Sequence, residues 1–457
     1  MAGIGFQLRK IVKKDSFFSL VKMYSYSAML SSGAWVISVI AILLVGIINI
    51  ALSSSGDDVL RLQIIITYAF ALAASLVITG FLQLPLTRYI ADLIFAKRES
   101  EVFGSYMGVM FVVLGGGMAI FIPAVWVLLP ELNSVQHFLI TAVFLTLSAI
   151  WISNVLVSSL KYYKSTVLSY FVVYAFIVVA SYFYGTDLNS LLFIFFSGNA
   201  LLLTIMITLI YKSYDSKNFM HFKFFKHKGF YYTLAFAGLF YNMGTWIDKF
   251  IFWYHPLTGS PVIGKIHSSV VYDLPIFLAY LSLLPGMAVF FYRLEADFAE
   301  KYDNFYNAVR EGGTLFVIKT YKSQMIATIR LAIKEVIWMQ SIVTILIFLV
   351  APEIFSLLRI PQLYLDLFYV LTIGALLQLG VMSILAILYY LDRRTKAMWL
   401  SFLFFILNGT MSWISIYLGP SYFGYGYALS LLIVFIISIL VIRQTMERLE
   451  YETFMHQ

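Results

Sequence analysis

The chain has 457 residues, of which 61% are apolar and 12% charged, where a soluble domain carries about 45–50% and about 25%. That balance excludes an ordinary soluble protein, and twelve spans of about 20 residues each would leave only about 217 residues, too scattered for a large soluble domain. The absence of cysteine excludes disulfides, thiolate metal sites and thiol catalysis, while the net charge of +8 needs a spatial reading before it implies a partner.

Continuous apolar stretches predict spans near 28–52, 62–85, 103–129, 137–160, 165–184 and 190–211, and six more near 230–254, 272–292, 335–358, 367–391, 397–418 and 422–442. The expectation is an all-α polytopic membrane protein of about twelve transmembrane helices with both termini on one side. Lysine and arginine orient it. Segments on the side of the termini hold 27 of these residues, and the opposite side holds Arg61, Lys265 and Arg359. By the positive-inside rule both termini are cytoplasmic. The basic excess is therefore topological, and nucleic acid is not needed to explain it.

The first segment, 1–27, is too basic and is followed by too long a span to be a cleavable signal peptide. Phe6, Leu8, Ile11 and Val12 among Arg9, Lys10, Lys13 and Lys14 predict an amphipathic stretch on the inner leaflet, held partly by anionic membrane lipids. Residues 28–211 form the first six-helix lobe. Residues 212–229, with five lysines and two histidines, read as a basic cytoplasmic linker on the membrane surface. The second lobe runs over 230–442 and includes a cytoplasmic amphipathic insert, 293–334. There Phe298, Tyr302, Phe305 and Val309 share a helix face, and Gly312-Gly313 ends that helix. Residues 443–457 are a cytoplasmic tail.

Two short patterns recur. Gly33-Ala34-Trp35 in span one matches Gly244-Thr245-Trp246 in span seven, and Arg88-Tyr89-Ile90-Ala91-Asp92 after span two matches Arg293-Leu294-Glu295-Ala296-Asp297 after span eight. Offsets of 211 and 205 residues imply a six-helix repeat unit. Because six is even, the two lobes are parallel, an arrangement that transporters use with the substrate path between them.

Ionisable residues inside spans are costly and thereby point to function. Asp248 and Lys249 stand in span seven, about 100° apart on a helix, so they are not expected to face each other. Lys249 snorkelling to the surface is the bland alternative. Asn242, Trp246, Lys249 and Trp253 share a stripe suited to a polar, aromatic wall, and Asp248 suits a proton or cation in the coupling step. Arg88 with Asp92, and Arg293 with Asp297, are i and i+4 pairs at the cytoplasmic mouth. They read either as simple helix pairs or as a gate cross-linking the lobes. Asn154, Asn199, Gln378 and Asn408 read as interhelical hydrogen bonders rather than cavity lining. Gly115-Gly116-Gly117 reads as close helix packing, since no Lys-Ser/Thr follows to make a phosphate loop. Trp35, Trp151 and Trp413 read as interface anchors rather than sugar platforms. No metal site and no cofactor are indicated.

The opening Met1-Ala2-Gly3-Ile4-Gly5-Phe6-Gln7-Leu8-Arg9-Lys10, the Ser31-Ser32-Gly33-Ala34-Trp35 of span one, Trp246-Ile247-Asp248-Lys249 and the run from Arg293 to Tyr302 together resemble the PelG family. These are inner-membrane transporters of the Pel exopolysaccharide system, distant relatives of the multidrug/oligosaccharidyl-lipid/polysaccharide exporters. The resemblance extends over the whole chain. It implies export of a galactosamine-rich, partly cationic polysaccharide made by a cytoplasmic glycosyltransferase, and membrane partners that include a cyclic di-GMP receptor. An ion-gradient-driven flippase of lipid-linked oligosaccharide, or efflux of another amphiphile, is the competing transporter reading. An embedded glycosyltransferase is disfavoured. The longest external loop, about 255–271, offers only His255, Lys265 and His267, and the sole D-x-D-like spacing inside is Glu295 to Asp297.

Overall fold

The computed structural model describes residues 23–24, 27, 37–38, 40–46, 56–69, 79–157, 163–214, 216, 218–226, 231–357 and 360–455. Packing divides the chain into two units, 34–269 and 270–457 together with 1–33.

The first unit contains α1 (Gly56–Ala69), α2 (Thr79–Phe95), α3 (Val102–Leu128), α4 (Ser134–Val157), α5 (Tyr163–Tyr184) and α6 (Leu188–Ser213). A one-turn helix α7 (Lys223–Lys226), then α8 (Tyr232–Tyr254) and a two-stranded antiparallel hairpin of β1 (Ser260–Ile263) and β2 (Ile266–Ser268) complete it. Its core is a continuous cluster of aliphatic and aromatic side chains, with α4 buried along most of its length. Asp187 starts α6 with a capping box: it accepts from the Ser190 backbone while the Ser190 hydroxyl accepts from its own backbone N–H. Those hydrogen bonds hold the Asp187 carboxyl below the usual carboxylate range.

The sequence assigned the helix at 230–254 to the second lobe, whereas its packing joins it to the first unit. The cause is a glycine contact. A Cβ at Gly238 of α8 would lie 2.3 Å from the Gly80 carbonyl oxygen of α2, so only glycine permits this approach. Phe81 and Phe236 then meet edge to face beside it, 5.6 Å apart. The boundary between the packed units accordingly falls after the hairpin and not in the linker at 212–229.

The second unit contains α9 (Val270–Leu281), α10 (Leu284–Tyr292), a π-helical turn (Arg293–Phe298), α11 (Ala299–Arg310), α12 (Leu315–Leu357), α13 (Leu365–Tyr390), α14 (Arg394–Leu418), α15 (Tyr425–Glu447) and α16 (Leu449–Met455). The expected span at 272–292 is broken and bent by 41° at its proline-led joint. The second half of the expected insert is continuous with the next span as a single 43-residue helix, α12. Gly312, at φ +71°, ends α11 as expected.

Among the described residues, eight helices are long and apolar enough to cross a membrane, or nine if the bent pair counts as one span. Ten of the twelve expected spans coincide with one helix or with the broken pair α9–α10. The stretches 28–52 and 62–85 lie partly outside the described residues. The amphipathic N-terminal stretch and Trp35 lie wholly outside them.

The lone polar residues mostly hydrogen-bond between helices. Asn154 donates to the Tyr170 hydroxyl at 3.0 Å, Tyr174 donates to Asn199 at 3.2 Å and Tyr427 donates to Gln378 at 2.5 Å. Asn408 accepts from Ser412 within its own helix. For two members of the glycine triplet the expectation is corrected, since a Cβ at Gly115 or Gly116 would meet nothing within 4 Å among the described residues, whereas Gly117 is buried. Gly115 and Gly116 lie on an exposed helix face and do not serve close packing.

Candidate functional site

The residues singled out from the sequence fall into two sets: the charged pair on α8 of the first unit, and the two R-x-x-A-D copies, one in each unit. The first is on α8. Its N-terminal half is fixed by the glycine contact with α2, and its C-terminal half by aromatic packing. Tyr68 of α1 stacks on Trp253 at 4.5 Å, and its hydroxyl donates to the His267 carbonyl of the hairpin at 2.6 Å. A loop folds back over the helix end, where the Thr258 hydroxyl donates to the Phe252 carbonyl at 2.7 Å.

Between these anchors Asp248 is fully buried and Lys249 nearly so, at 0% and 4% exposure. The Lys249 ammonium lies 3.3 Å from Asp248 Oδ1 and donates to the Thr245 carbonyl at 2.8 Å. It also sits 5.5 Å from the centre of the Trp246 ring. Two expectations are corrected here. The residues do pair, because the four-carbon stem of Lys249 curls back one turn to Thr245 and carries the charge around the helix to Asp248. Nor does Lys249 snorkel, since its ammonium is satisfied inside. Mutual neutralisation lets both charges stay buried, which neither would tolerate alone. Asn242 and Trp246 are half-buried on the same helix, while Trp253 is enclosed by the core.

The second cluster comprises the two R-x-x-A-D copies. In the first unit, Arg88 Nε lies 3.2 Å from Asp92 Oδ1 on α2, and Asp92 accepts a 2.5 Å hydrogen bond from the Tyr231 hydroxyl. In the second unit, Arg293 stands in the π-turn, where each residue advances less around the axis than in an α-helix. It ion-pairs with Asp297 and makes a bidentate contact with Glu335 of α12, at 2.5 and 2.6 Å. Tyr24 stands edge-on to Tyr292 beside this turn, and Met23 packs on Tyr292 and Ala296. Glu295 of the same run is buried at 7% exposure and accepts from the Tyr390 hydroxyl at 2.9 Å. Sequence reasoning missed Glu335, Tyr231 and Tyr390. A signal existed for Glu335, the lone acid between Glu311 and Glu353.

The described residues contain no group of three or more His, Asp or Glu side chains arranged to hold a metal ion. The clusters offer ion pairing, hydrogen bonding and aromatic surface.

A family profile described as PelG, exopolysaccharide exporter (EPS-E), matches residues 1–454. No curated protein matches the chain. Among solved structures, the chain is similar to an outward-facing multidrug resistance MATE family transporter of the MOP superfamily, at 12% identity and TM-score 0.67 over 94% of this chain and 97% of that one. It is similar to a MOP superfamily transporter from Pyrococcus furiosus at 14% identity and TM-score 0.67, over 94% and 96%. An inward-facing MATE family transporter matches at 12% identity and TM-score 0.57, over 92% and 95%. At these identities the likeness is one of fold.

Proposed function

The chain belongs to the PelG family of exopolysaccharide exporters, and on that premise we propose that it moves a Pel-type, galactosamine-rich polysaccharide out of the cytoplasm across a bacterial inner membrane. Family and fold are those of multi-pass membrane transporters. The observation that carries the reading to particular residues is the buried Asp248–Lys249 pair in an otherwise uncharged helix. Intramembrane charge is retained where function requires it.

On this reading α8 is one wall of the path, with Asn242 and Trp246 offering a hydrogen-bonding and a stacking surface to sugar rings. The charge of the Asp248 carboxylate is balanced by its own lysine. A cationic amine on the polymer, or a coupling proton or ion, competes with Lys249 for that carboxylate, so the pair opens when cargo or ion arrives. The Arg88–Asp92 and Arg293–Asp297–Glu335 clusters serve as gate elements at the basic mouth. A cytoplasmic glycosyltransferase supplies the polymer, with a cyclic di-GMP receptor among the membrane partners.

Deleting the chain should remove surface polysaccharide, and restoring it should bring the polymer back; normal polymer in the deletion strain would remove the assignment. Orientation has its own test, made simple by the lack of cysteine. A cysteine at position 265 should react with an impermeant thiol reagent in intact cells, and cysteines at 226 and 301 should not. Labelling at 226 would reverse the topology.

A further inference from the structure

The segment 218–226 does not lie loosely on the first unit. Gly104 and Gly108 of α3, one turn apart, let its backbone approach the helix. A Cβ at Gly108 would lie 2.2 Å from the His221 carbonyl oxygen, and the His221 backbone donates to the Gly104 carbonyl at 3.0 Å. Burial, with Lys223 nearby, pushes the His221 imidazole below its ordinary value. Phe222 packs edge-on against Phe111, 6.1 Å away, on the outer face of a span. Phe224 is buried against Tyr89 of α2. The segment is thus fixed against the apolar flank of the helices, with its lysines displayed.

Between this segment and the end of α2 lies a cavity of about 360 Å³, lined by Tyr89, Asp92, Arg98, Lys223 and Lys226 among others. Its carboxylates are already engaged. Asp92 is held by Arg88 and Tyr231, and Glu101 at its margin is held by Arg98 and by Lys223 at 2.9 Å. Three lining cations, Arg98, Lys223 and Lys226, therefore face the single lining carboxylate Asp92. Beside the cavity, Phe95 is 79% exposed and Phe225 is 37% exposed.

We infer that this cavity holds the phosphodiester headgroup of an anionic phospholipid, whose acyl chains lie along Phe95, Phe222 and Phe225. The excess of positive charge selects an anion. The exposed aromatic rim selects one carried on an apolar body, which a free phosphate lacks. The site needs neither the transport reading nor a particular cargo.

The test uses the full chain purified in detergent, with lipid adducts counted by native mass spectrometry. Wild type should retain phosphatidylglycerol in preference to phosphatidylcholine. Lys226→Gln, an exposed residue whose loss leaves the fold intact, should weaken retention roughly 5-fold, and Arg98→Gln with Lys226→Gln roughly 25-fold. Lys319→Gln with Arg330→Gln, which removes equal charge from α12, should change nothing. Equal retention of both lipids would overturn the proposal, as would an equal loss in the α12 control, which would mean diffuse attraction. Inorganic phosphate binding with the same Lys226 dependence, and no gain from acyl chains, would overturn the lipid assignment.

Discussion

The two R-x-x-A-D copies share a sequence pattern and differ in everything around it. On α2 the pair is about two-fifths exposed, at 39% and 37%, and its added partner is a neutral tyrosine. In the π-turn both members are 20% exposed, and the arginine is gripped by a second carboxylate from a neighbouring helix. The lesson is that a repeat can preserve an ion pair while its environment decides what the pair does. The first copy is a surface device of small energy. The second ties α12 to the turn that follows the broken span, so losing it should loosen the unit.

The largest effect should come from Arg293→Ala, which leaves Asp297 and Glu335 facing each other without their cation. A loss of about 2–3 kcal/mol is expected, since the site is only partly screened by water. Thermal unfolding in detergent should show it as a clear drop in midpoint. A smaller loss, about 0.5–1.5 kcal/mol, is expected for Tyr231→Phe, which removes one hydrogen bond to a carboxylate. Smallest of all should be Arg88→Ala, at about 1 kcal/mol or less, and raising the salt concentration should shrink it further. If Arg88→Ala proves as harmful as Arg293→Ala, the contrast between the copies fails and both act as structural clamps.

Much of the fold was legible because apolar run length and cationic loops follow directly from the cost of putting polar groups in lipid. The spans at 134–157 and 365–390 illustrate this. What the sequence hid depended on reach and close approach. A helical wheel places Asp248 and Lys249 apart, yet a flexible side chain closes the gap. Linear reading assigns α8 to the second lobe, yet the Gly238–Gly80 contact joins it to the first unit. Long, apolar α12 concealed that its first half is not a separate amphipathic piece. Glu335 was visible as an isolated acid, but its partner Arg293 lies 42 residues away and across a helix junction.

The central claim is that the charge on Asp248 takes part in moving the polymer. Asp248→Asn keeps the side chain's volume and removes only that charge. Surface polysaccharide should be measured in a strain carrying this variant, with membrane abundance of the protein measured in the same cells. Abolished or strongly reduced polymer at unchanged abundance is the expected result; normal polymer at normal abundance would contradict the account and remove Asp248 from the mechanism.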